Sequence, residues 1–107
     1  MKIEVLYVAG CPSRRAAVRL VRSLAVAQGV MADVREVLVK DRRMADELKF
    51  PGSPTIRVNG RDVAGEGLEE GTFALSCRLY PGSQQAGLPP AEWIRRAMME
   101  AAEGGPR

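Results

Sequence analysis

Residues 2–20 read KIEVLYVAGCPSRRAAVRL, and the change of pattern inside this stretch decides the fold. Lys2 to Val8 are rich in β-forming residues and stop at Ala9-Gly10, which predicts a buried strand. From Pro12 to about Gly29, Val18, Val21, Leu24 and Ala25 recur at helical spacing, with Arg15, Arg19 and Arg22 on the other side. Pro12 suits the first helical position, where its missing N–H is no loss, and Gly29 is a natural stop. A strand that feeds a helix through Gly10-Cys11-Pro12 leaves Cys11 at the turn between them.

Reading outward, Ala32 to Val39 form a second strand with charges in its middle, as edge strands have. Asp41 caps a short helix through Leu48, with Met44 and Leu48 on its inner side, and Pro51-Gly52 ends it. Pro54 to Val58 and Arg61 to Ala64 flank Asn59-Gly60. That dipeptide between two β-like runs predicts a hairpin, because a type I′ turn needs two positive φ angles. An irregular stretch of about 65–89 follows, with Cys77 in a β-like island from Leu75 to Tyr80. Pro89-Pro90 open a last helix through about Glu103, whose apolar stripe is Ile94, Ala97, Met98 and Ala101. The expected order is β-α-β-α-β-β-α in a single domain over 1–107: a three-layer α/β/α fold on a four-stranded mixed sheet. The early β-α-β unit is a right-handed parallel crossover. The hairpin extends the sheet on the other side of the first strand and leaves that strand central.

Composition limits the function. The chain has 107 residues, is 46% hydrophobic and only 5% aromatic, so aliphatic residues must supply the core of one small domain. Its formal net charge of +3 is spread along the chain and not gathered in a block with interleaved aromatics, so nucleic acid is not an expected partner. With two cysteines and no histidine there is no disulfide framework, no usual general base and no ready tetrahedral zinc set; neither metal nor cofactor is expected. No apolar run approaches the roughly 20 residues of a membrane span, and residues 1–10, interrupted by Glu4, do not read as a signal peptide. The expected setting is a reducing cytoplasm with both thiols free.

Two motifs in this order resemble the thioredoxin superfamily over nearly the whole chain. Gly10-Cys11-Pro12-Ser13-Arg14 matches the strand-to-helix turn where the family keeps its redox cysteine. Gly52-Ser53-Pro54-Thr55 is similar to its cis-proline loop. The resemblance implies that the bond before Pro54 is cis and that the loop packs against the reactive sulfur. It also exposes a departure. The family's dithiol motif is Cys-x-x-Cys, and here Arg14 stands where the second cysteine would be. The Gly-Phe-Ser that follows the cysteine of cluster-carrying monothiol glutaredoxins is replaced by Pro-Ser-Arg. Cys11 and Arg15 match the cysteine–arginine spacing of glutaredoxin-like arsenate reductases.

A helix N-terminus carries partial positive charge and unpaired N–H groups, which favour a thiolate, and Arg14 and Arg15 add charge to that turn. Cys11 is therefore the candidate nucleophile. Pro12, Ser13, Arg14, Arg15, Ser53 and Pro54 support it, and Ser13 acts chiefly as helix cap. In the expected topology the fourth strand ends on the Cys11 side of the sheet, so the insertion starts near that thiol. Cys77 is then either a resolving cysteine from outside the usual motif or a core residue of its island. The expected function is a thiol–disulfide oxidoreductase or thiol redox sensor whose partner is a protein or small-molecule thiol or disulfide. The alternatives are a redox-inactive binding module, or a thiol protein for arsenate or soft metals.

Overall fold

In a computed structural model, which describes residues 1–65 and 87–103, a four-stranded mixed sheet is built around the first strand. The elements run β1 (Lys2–Tyr7), α1 (Arg14–Ala27), β2 (Asp33–Leu38), α2 (Arg42–Leu48), β3 (Thr55–Val58), β4 (Arg61–Asp62) and α3 (Ala91–Glu103). The sheet order is β2-β1-β3-β4. β1 pairs parallel with β2, from Lys2 opposite Asp33 to Tyr7 opposite Leu38. It pairs antiparallel with β3, from Ile3 opposite Val58 to Leu6 opposite Thr55. The edge strand β2 exposes Asp33, Arg35 and Glu36, whereas Ile3, Val5 and Leu6 of the inner strand are buried.

Alternation along β1 divides the core. Ile3 and Val5 pack with Ile56 and Val58 of β3, Val21 of α1, and Ile94 and Met98 of α3. Leu6 joins Val39, Ala45 and Phe50 in a second cluster with α2. Residues an odd number of positions apart in a strand face opposite ways, so the sheet separates two helical layers. Phe50 is among the largest fully buried side chains, and its burial is worth about 1.5–3 kcal/mol relative to exposure. Leu88 and Pro89 are also buried, and Leu88 belongs to the α1–α3 cluster. The chain has therefore rejoined the core before the end of the irregular stretch read from the sequence.

Local chemistry explains the element ends. The β3–β4 turn has positive φ at Asn59 (49°) and Gly60 (87°), as a type I′ turn requires. Asn59 also pins the start of β1: its N–H donates to the Lys2 carbonyl at 2.7 Å, and the Lys2 N–H donates to its Oδ1 at 2.9 Å. At the end of α1, the Gly29 N–H donates to Val26 O and the Val30 N–H to Ala25 O, a Schellman closure with Gly29 in the left-handed region.

Several element ends depart from the sequence reading, in position or in cause. Helix α1 starts at Arg14, not Pro12, because a turn in which the Arg14 N–H meets the Cys11 carbonyl comes first. Pro12 therefore precedes the cap position held by Ser13. Helix α2 begins as expected, with the Met44 N–H donating to Asp41 Oδ1 at 2.9 Å, but it is stopped by Lys49 and not by Pro51-Gly52. Lys49 has φ 52°, and the Phe50 N–H closes back on Ala45 O. Arg57 of β3 holds this end: its Nη2 donates to the carbonyls of Leu48 and Lys49 at 2.6 and 3.1 Å, filling acceptors that a helix end leaves open. β4 stops at Asp62, short of Ala64. The Ala64 N–H turns in to the Asp62 carboxylate and the Gly65 N–H to the Asp62 carbonyl, which curls the chain out of the ladder.

Candidate functional site around Cys11

The end of β1 and the start of α1 place Cys11. Gly10 adopts φ 77°, and the Cys11 N–H then donates to the Val8 carbonyl at 3.1 Å, closing a tight turn. The Cys11 thiol is free and half-buried. The other side of Val8 faces the 52–55 loop: its N–H donates to Ser53 Oγ at 3.1 Å. Ser53 and Pro54 are buried, the peptide bond between them is cis, and Thr55 Oγ1 donates to the Gly52 carbonyl at 2.6 Å. Val8 thus links two segments that the sequence holds far apart. Its carbonyl secures the cysteine turn and its amide secures the serine–proline loop. A partly exposed thiol on such a fixed turn is open to an attacking or attacked sulfur from solvent.

The neighbours of Cys11 take distinct roles. Pro12 is exposed. Ser13 occupies the cap position of α1 but its hydroxyl makes no cap hydrogen bond, contrary to the expected capping role. Its backbone φ of −97° with ψ near −1° departs from the extended conformation in which cap side chains usually reach the next turn. The hydroxyl lies instead where a side chain on Gly87 would be, since a Cβ built there meets Ser13 Oγ. Gly87 has φ 81°, so its backbone conformation favours glycine, and a side chain there would make the Ser13 hydroxyl turn aside.

Arg14 turns toward the sheet and its charge is engaged there. Its Nε donates to Glu36 Oε1 at 2.8 Å, and its guanidinium lies 4.4 Å from the centroid of the Tyr7 ring. The hydrogen bond to Glu36 raises its pKa above the ordinary arginine value; partial desolvation opposes this, and the charges of Tyr7 and Glu36 add to the rise. Arg15 is exposed on the outer side of the same turn.

Sequence reasoning did not anticipate Val8, Glu36 or Gly87 in this neighbourhood. A charge in the middle of β2, the strand paired parallel to β1, was the only signal for Glu36. Gly87 had none beyond being a glycine. Cys77 and Tyr80, together with Glu66, Glu69 and Glu70, lie outside the described residues. Among the described residues no three His, Cys, Asp or Glu side chains gather as a metal site. No described helix is long and apolar enough to cross a membrane. Comparison with known proteins finds no matching family model, no similar curated protein and no similar solved structure.

Proposed function

We propose that this chain is a thioredoxin-like protein that carries out thiol–disulfide exchange through Cys11, as an oxidoreductase or a thiol redox sensor. The observation that carries the reading is the half-exposed free thiol just beyond the end of the central strand, on a turn that Val8 ties to the Ser53-Pro54 loop. In the exchange, the Cys11 thiolate attacks one sulfur of a partner disulfide. A new S–S bond forms to Cys11, the old S–S bond breaks, and the displaced sulfur leaves as a thiolate that takes a proton. A second thiol then attacks the mixed disulfide and regenerates or oxidises Cys11. That thiol is Cys77 or an external small thiol such as glutathione. The partner is a protein or small-molecule thiol or disulfide, and the setting is the reducing cytoplasm.

Exposure of the intact protein to oxidised glutathione tests this. Peptide mapping should find Cys11 modified before Cys77 and faster than a free cysteine at the same pH. Resolution by Cys77 appears as a monomer lighter by two hydrogens. If Cys11 reacts no faster than free cysteine, the reading fails. A second reading, a redox-silent binding module, is favoured by Arg14 standing at the resolving position with its side chain engaged by Glu36 and Tyr7. It requires partner capture to survive Cys11→Ser.

A further inference from the structure

Helix α1 differs from the other two helices in its charges. α2 pairs Arg43 with Glu47, and α3 pairs Arg95 with Glu92, the spacing by which solvated helix faces balance themselves. α1 carries four arginines and no acidic residue. Arg14 and Arg15 lie in its first turn, where the helix dipole opposes cations, and Arg15 and Arg19 are like charges one turn apart. Only Arg14 has an ion-pair partner among the described residues, Glu36. Arg15, Arg19 and Arg22 have none there and are exposed, and with Arg14, Val18 and Glu36 they line an open groove between α1 and β2. Charge pairing within the helix does not account for this arrangement, which leaves three guanidinium groups available to charge from outside it.

We infer that this groove binds an acidic, extended protein segment. Arg15 to Arg22 spans two helical turns, about 10.5 Å, which is the length of roughly three residues of extended chain. Guanidinium groups take carboxylates in forked pairs, and half-buried Val18 offers an apolar contact between them. Nucleic acid fits the groove poorly. Its lining has no aromatic ring for a base to stack on, and the nearby Tyr7 ring is already covered by Arg14. The inference does not depend on the chemistry of Cys11.

A fluorescein-labelled octapeptide of alternating Glu and Leu, titrated with the intact protein at low salt and followed by anisotropy, tests it. Binding is expected, weakening at least tenfold when salt is raised from about 50 to 300 mM, since exposed charges are then screened. The triple change Arg15→Ala, Arg19→Ala, Arg22→Ala should weaken binding tenfold or more without lowering Tm. Arg42→Ala with Arg43→Ala on α2, and Cys11→Ser, should leave it within twofold. Absence of binding, equal loss in the α1 and α2 variants, or tighter binding of an oligothymidylate of equal length would each overturn the inference. Should the triple variant fold poorly, Arg19→Gln with Arg22→Gln gives the same test with smaller change.

Discussion

The amide of Val8 donates to the hydroxyl of Ser53 at 3.1 Å, while the carbonyl of the same residue accepts from Cys11. One residue therefore ties the turn that carries the thiol to the Ser53-Pro54 loop. Replacing Ser53 with Ala leaves the Val8 N–H without its partner in a part-buried position. A loss of about 1–3 kcal/mol in urea unfolding is expected. Ser53→Thr, which keeps the hydroxyl, should recover part of it. Equal stability of the Ala variant and the parent would mean that water replaces the hydroxyl freely.

Gly87 holds a positive φ and lies against the Ser13 hydroxyl, which a side chain at Gly87 would displace. Gly87→Ala should cost about 1–2 kcal/mol from the backbone alone, with more from displacing Ser13. Adding Ser13→Gly should return the steric part and leave the backbone part. Thermal unfolding of the four members of this cycle separates the two contributions; strict additivity would show that the contact is not limiting.

The end of α2 offers a gain. Lys49 holds a left-handed conformation that glycine adopts with less strain. Lys49→Gly should raise stability by about 0.5–1 kcal/mol, the left-handed relief less the entropy of glycine in the unfolded chain. Arg57→Ala should lower it by about 1 kcal/mol, since the Leu48 and Lys49 carbonyls lose their charged donor. The ranking of the three melting temperatures checks both.

The Arg14–Glu36 pair sets a pH expectation. The folded pKa of Arg14 is raised, so the stability it brings is fully present below the ordinary arginine value and is lost only as pH climbs through the raised one. Between pH 6 and 9 the difference in stability between the parent and Glu36→Gln should therefore be flat. A difference that slopes across that window would assign the titration to another group. The difference should also shrink in high salt, as both partners are exposed.

Features whose cause lies within a few residues were legible in the sequence. The Asn59-Gly60 turn, the Asp41 cap and the Gly29 stop each depend on local backbone chemistry. Position of the inner strand followed from its apolar run between charged neighbours. What escaped was set by partners remote in the chain. α2 ends at a left-handed Lys49, where Arg57 of a later strand donates to the carbonyls of Leu48 and Lys49. Arg14, read as a neighbour of the thiol, is drawn instead to Glu36 on β2. Ser13 fails to cap because its backbone is not extended, and its hydroxyl lies against Gly87, remote in the chain. At the candidate site, the sequence located Cys11 and the Ser53-Pro54 loop, but gave no sign that Val8 is their common tie.

The hairpin turn also governs how the protein ages. Asn followed by Gly is the dipeptide at which a side-chain amide is lost most readily, through a cyclic imide that reopens mainly to isoaspartate. Here the Asn59 amide oxygen is held by the Lys2 N–H and the residue by a left-handed turn. Both restrain the ring closure while the sheet is intact. Once it occurs, the extra backbone carbon lengthens the turn and withdraws the acceptor that pins the start of β1. Chemical wear at an exposed hairpin would then be felt first at the start of the central strand, 57 residues earlier in the chain.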